Sequence, residues 1–100
     1  MYRIVWEYEA HPERVAEFEE VYGPEGRWTA FFRRSEDYLG TELFRSTSAP
    51  GHFLLVDSWQ SRVAYEAFRR AHADEYAALD ESCQRLRTRE RALGMSEDGR

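Results

Sequence analysis

The sequence predicts an α+β fold with the element order β-α-β-β-α-β, and three observations carry that expectation. Residues 2–10 alternate apolar and polar side chains with period two. Residues 38–47 and 52–59 are two further strand-like runs separated by the short turn cluster Ser48-Ala49-Pro50-Gly51, the pattern of a hairpin. Tyr65, Phe68, His72, Tyr76, Leu79, Cys83 and Leu86 then recur at steps of three and four, which is one face of a long helix. Right-handed crossovers fold this order into a ferredoxin-like sandwich, four antiparallel strands with the helices on one face.

Each element has its own local reason. In the first strand Ile4, Trp6 and Tyr8 share one face, and Arg3, Glu7 and Glu9 share the other with Val5. Pro12 suits the first turn of a helix, where its missing N–H costs nothing, and Glu13 suits the positive helix end. Val15, Phe18 and Tyr22 follow at helical spacing with Val21 close by, until Gly23-Pro24-Glu25-Gly26 interrupts. A second helical piece from Arg27 to about Arg34 carries Trp28, Phe31 and Phe32 at i, i+3 and i+4. In the hairpin, Leu39, Thr41 and Leu43 alternate with Gly40, Glu42 and Phe44, and Leu54 and Val56 alternate with Phe53, Leu55, Asp57 and Trp59. Ser61 is placed to cap the next helix, which continues to Leu86 or bends near Ala73. Residues 88–94 form a weaker last strand, and Ser96 to Arg100 is a polar tail outside a domain of residues 1–95.

The helices can cover only one face of the sheet. Phe44, Phe53, Leu55 and Trp59, with Glu42 and Asp57, are assigned to the other face. So large an apolar patch needs a cover, and a second copy of the chain is the economical one, so a homodimer is expected.

Composition narrows the function classes. One hundred residues make a single domain. The formal net charge of −5 argues against nucleic acid as a partner. No apolar run approaches the roughly 18–20 residues of a membrane helix, and the N-terminus lacks signal-peptide character. Cys83 is the single cysteine, so a reduced, cytoplasmic setting is the default. All 14 basic residues are arginine, which removes lysine Schiff-base chemistry, and asparagine is absent. His72 and Glu75 stand at i, i+3, but no HExxH or paired-cysteine spacing supports a metal, and no GxGxxG follows a strand. No cofactor is expected.

The stretch Leu54-Leu55-Val56-Asp57-Ser58-Trp59-Gln60-Ser61, followed by Ala64-Tyr65-Glu66-Ala67-Phe68, resembles the "E-x-W-x-S … A-F" passage of the antibiotic biosynthesis monooxygenase-like domain. The opening strand leading into Pro12-Glu13 and Phe18-Glu19 resembles that family's first β-α unit, and Tyr38 to Leu43 its second strand. The resemblance spans roughly residues 2–94. It implies a dimeric α/β barrel in which two sheets meet face to face, with any small-molecule pocket between the sheet and helices of each subunit. The family includes cofactor-free oxygenases of phenolic polyketides and quinols, and haem-degrading oxygenases. The haem degraders use a first-strand asparagine and a tryptophan and histidine on the second helix. Here asparagine is missing, the tryptophan position falls on Phe68 and the histidine position near Ala78, so haem degradation is not implied.

Cofactor-free oxygenation needs one base, an apolar aromatic pocket and donors for an oxyanion, because the deprotonated substrate itself reduces dioxygen. His72 is the one histidine on the inner helix stripe and the candidate general base. The competing reading is a hydrogen-bonded core histidine. Trp6, Tyr8, Trp28, Phe32, Phe68 and Tyr76 are the candidate walls for a small flat aromatic ligand, and they equally suit a filled core. Two function classes follow: a cofactor-independent monooxygenase of a small aromatic substrate, or a non-catalytic dimeric ligand-binding or accessory protein of the same fold.

Overall fold

The structure is a computed structural model and describes residues 1–97. The elements run β1 (Tyr2–Ala10), α1 (Val15–Tyr22), α2 (Arg27–Phe32), β2 (Tyr38–Arg45), β3 (His52–Trp59), α3 (Arg62–Ala71), α4 (Ala73–Cys83), a 3₁₀ turn (Gln84–Leu86) and β4 (Arg87–Glu97). The strands form one antiparallel sheet in the order β2-β3-β1-β4. This is the ferredoxin-like arrangement, and the helices lie on one face of it.

Local chemistry explains the boundaries. Helix α1 begins at Val15, three residues after Pro12, because His11 to Arg14 close a turn in which the Arg14 N–H donates to the His11 carbonyl at 2.8 Å. Ser61 caps α3, its Oγ accepting from the Ala64 N–H at 3.1 Å. The helical stripe breaks at His72, whose φ of −122° and ψ of 32° end α3 and start α4. Strand β4 outruns the expected one. Its pairs Tyr2↔Glu97 and Arg3↔Ser96 draw the first two residues of the expected tail into the sheet, and the Glu97 carboxylate accepts the Arg62 N–H at 2.9 Å. The remaining tail residues, 98–100, lie outside the described residues.

The expected assignment of sheet faces is reversed for the hairpin. Phe53, Leu55 and Trp59 are 2%, 3% and 0% exposed and pack under the helices, and Asp57 is buried beside them. Period two establishes that these residues share a face, but it leaves open which face that is. The pairs Tyr8↔Phe53, Trp6↔Leu55, Ile4↔Asp57 and Tyr2↔Trp59 put them on the inner side of β1. Of the expected outer patch only Phe44 and Glu42 remain outside. Phe44 is joined there by Val5, Leu54 and Val56. Phe44 and Leu54 are 50% and 41% exposed.

The turn between α1 and α2 brings backbone into close contact. A Cβ on Gly26 would lie 2.2 Å from the Val21 carbonyl oxygen and 2.5 Å from that of Glu20. Gly26→Ala is therefore expected to push α2 outward and cost about 1–3 kcal/mol, measured as a loss in urea midpoint. Because α2 carries Trp28 and Phe32, the displacement would also disturb the cavity described next.

Candidate functional site

Between the inner face of the sheet and helices α1, α2 and α4 lies a cavity walled by aromatic rings. Strand β1 contributes Trp6 and Tyr8, α1 contributes Tyr22, α2 contributes Trp28 and Phe32, and α4 contributes Tyr76. The rings pack on one another, with Trp28 and Tyr76 centroids 5.0 Å apart and Tyr8 and Tyr22 4.9 Å apart. The free space they leave is about 20 Å³, enough for one water-sized body.

Two polar clusters lie at opposite sides of this wall. The inner one centres on Asp57, 7% exposed, whose Oδ1 accepts from the Thr41 hydroxyl at 2.6 Å. The Tyr38 hydroxyl hydrogen-bonds Thr41 and stands 3.4 Å from the Thr29 hydroxyl, which donates to the Gly23 carbonyl at 3.2 Å. This chain ties β3, β2 and α2 together around one carboxyl group. Burial pushes the Asp57 pKa up to about 6, partly opposed by the Thr41 hydrogen bond.

The outer cluster forms the mouth, between Asp80 of α4 and Glu90 of β4. Arg87, with only 10% of its side chain exposed, reaches Asp80 at 3.1 Å and Glu90 at 3.5 Å and donates to the Tyr22 hydroxyl at 2.7 Å. Burial raises the pKa of Tyr8, Tyr22 and Tyr76, and the nearby Glu90 carboxylate raises Tyr8 further. Their phenols stay protonated and can donate. The Trp28 indole N–H is buried and has no acceptor among the described residues.

Five of the six expected wall residues, Trp6, Tyr8, Trp28, Phe32 and Tyr76, meet at this cavity. Phe68 does not. It packs in the neighbouring core against Trp59 at 5.3 Å and Phe31 at 5.1 Å. His72 also lies elsewhere, because the helix break turns its ring out of the inner stripe. The imidazole rests on Phe68 at 4.5 Å and pairs with Glu75 at 3.3 Å, with 31% of the side chain exposed. Glu75 in turn holds Arg34 at 2.6 Å, so His72 belongs to a surface clasp between α4 and the turn that follows α2. Sequence reasoning missed Tyr22, Thr41, Leu55, Asp57, Asp80 and Glu90 as cavity residues. For Asp57 a signal existed: an acid inside the otherwise apolar alternation Phe53, Leu55, Trp59. Among the described residues no three His, Cys, Asp or Glu side chains are grouped to hold a metal ion. No helix there is long and apolar enough to cross a membrane.

Residues 1–79 match the family model described as antibiotic biosynthesis monooxygenase. The chain belongs to that family. Among solved structures it is similar to a Deinococcus radiodurans protein whose name assigns it to the same family, with a TM-score of 0.77 and 18% identity over 100% of this chain and 94% of the other. It is also similar to an asparagine-to-alanine variant of SnoaB, a cofactor-independent oxygenase from Streptomyces nogalater, with a TM-score of 0.76 and 24% identity over 99% and 93%. A Pseudomonas aeruginosa protein matches with a TM-score of 0.68 and 12% identity over 99% and 94%. At these identities the likeness establishes the fold shared by family members. No curated protein matches the chain.

Proposed function

We propose that this family member is a cofactor-independent monooxygenase of a small, electron-rich aromatic substrate, with Asp57 as its general base. The observation that carries the reading is a nearly buried carboxyl group, with a pKa raised to about 6, in the wall of an aromatic cavity. At neutral pH Asp57 is largely ionised and can take a proton from a quinol hydroxyl or from the acidic methylene carbon of an anthrone. The protonated Tyr22 and Tyr76 hydroxyls are donors for the resulting oxyanion, while Tyr8 donates to Glu90. The substrate anion supplies the electrons to dioxygen. For an anthrone the balance is CH₂ + O₂ → C=O + H₂O, with one oxygen atom kept and the other leaving as water with the two methylene hydrogens. Trp6, Trp28 and Phe32 exclude bulk water from the anion.

The test is aerobic incubation with a panel of quinols and anthrones, following oxygen uptake. Turnover above the uncatalysed background supports the reading, and none across the panel overturns it. In this mechanism His72 takes no part. His72→Ala is therefore expected to leave oxygen uptake within about twofold of wild type. It should lower stability by about 1 kcal/mol through its lost packing on Phe68 and pairing with Glu75.

The small free volume favours a second reading, a non-catalytic ligand-binding or accessory protein whose cavity is mostly filled by its own rings. It predicts ligand binding with no oxygen consumed.

We further propose a homodimer through the open sheet face. Val5, Phe44, Leu54 and Val56 supply its apolar centre, and Glu7 with Arg91 at 2.8 Å and Glu9 with Arg89 and His52, each at 3.4 Å, supply a polar border.

A further inference from the structure

We infer that the cavity selects uncharged, hydroxyl-bearing flat aromatics over their carboxylated congeners, and that Asp80 and Glu90 at the mouth enforce the choice. This rests on the reading of the cavity as a substrate site. Three carboxyl groups, Asp57, Asp80 and Glu90, line it, and among the described residues no arginine or histidine side chain does so. Two cations stand behind the lining: Arg87 is committed to both mouth carboxylates and to the Tyr22 hydroxyl, and Arg69 is stacked on the Tyr76 ring and donates to the Tyr65 hydroxyl. Two guanidiniums against three carboxylates leave the surroundings of the cavity with a net negative charge.

Ionised carboxylates only accept hydrogen bonds, so a ligand group facing them must donate. A hydroxyl does so. A ligand carboxylate would instead meet like charge at side chains only about a third exposed, where solvent screens the repulsion in part. The same walls still accommodate a ligand carbonyl, since the Tyr22 and Tyr76 phenols can donate to it. The chemistry at the rim is thus acceptor-rich and anion-poor, matching polyhydroxylated aromatics and disfavouring aromatic acids.

The experiment titrates the whole chain with dihydroxyanthraquinone and with its ring-carboxylated congener at neutral pH, reading tryptophan fluorescence. Neither compound consumes oxygen, so binding is scored apart from turnover. Wild type is expected to bind the uncharged compound roughly tenfold or more tightly than the acid. Glu90→Gln and Asp80→Asn each remove one negative charge. Each should tighten the acid several-fold and weaken the hydroxylated compound, so that the ratio of the two affinities falls toward one, and either variant suffices if the other fails to fold. Equal affinity of wild type for both compounds, or tighter binding of the acid, overturns the inference without touching the oxygenase reading. If neither compound binds while quinols or anthrones still drive oxygen uptake, the inference falls and the oxygenase reading stands. With no binding and no uptake, both fall.

Discussion

Replacing Asp57 by asparagine is expected to abolish most oxygen uptake and at the same time to make the protein more stable. As the base, Asp57 must be ionised, so the wild-type rate should climb as pH rises through about 6 and level off above it. Asp57→Asn should reduce kcat by on the order of 10²–10⁴ and remove that limb of the profile. The stability effect has the opposite sign. The pKa in the folded protein lies above the unfolded value of 3.8, so folding favours the protonated group. Its contribution is fully present below about pH 4 and is lost as pH rises through about 6. The span from 3.8 to about 6 corresponds to about 3 kcal/mol. Asp57→Asn should therefore gain up to that amount at neutral pH, with the gain vanishing near pH 4, as read from urea melts at several pH values. Thr41→Val supplies an independent check. Losing the hydrogen bond that favours the carboxylate should move the rising limb to higher pH while some activity survives.

Leu54→Asp and Val56→Asp should turn a dimer into a folded monomer. Both residues lie on the open face of β3, where a charge is harmless in water but unpaired in an apolar interface. Light scattering at micromolar concentration should give about twice the 11.9 kDa chain mass for wild type and about one chain mass for either variant. Phe53→Asp or Leu55→Asp should behave differently. These residues are 2% and 3% exposed beneath the helices, so a charge there is expected to unfold the chain. A well-folded monomer in the unmodified protein would defeat the dimer.

Much of this arrangement was legible in the sequence, and the parts that were not share a cause. Period-two alternation located β1 and β3 because each strand has one strongly apolar face. The β1 stripe, together with the α2 and α4 aromatics, named five residues that the structure brings to one cavity. What alternation does not encode is which face of a hairpin turns toward the helices, since Phe53, Leu55 and Trp59 read identically on either side. That depends on the pairing with β1, a long-range register. The same ambiguity hid Asp57, which follows Trp59 to whichever face it takes. His72 failed for a different reason. A helical stripe predicts direction only while the helix runs unbroken, and His72 is the residue at which it breaks. Asp80 and Glu90 lie on α4 and β4, elements whose polar sequences gave no sign that they would border a cavity.

The near-complete filling of the cavity by its own rings sets the terms on which anything can enter it. A flat aromatic molecule of the proposed kind is far larger than the free space, so its entry requires a form with the rings moved apart. Measured affinity is then the intrinsic affinity of that opened form reduced by the fraction of molecules occupying it. Ring contacts such as Trp28 with Tyr76 and the cation–π stack of Arg69 on Tyr76, 3.6 Å from the ring centroid, thereby bear on ligand binding through the closed packing they stabilise. Loosening them raises apparent affinity at the expense of rigidity, and tightening them does the reverse. The packing that holds this small domain together is also the competitor that every ligand must displace.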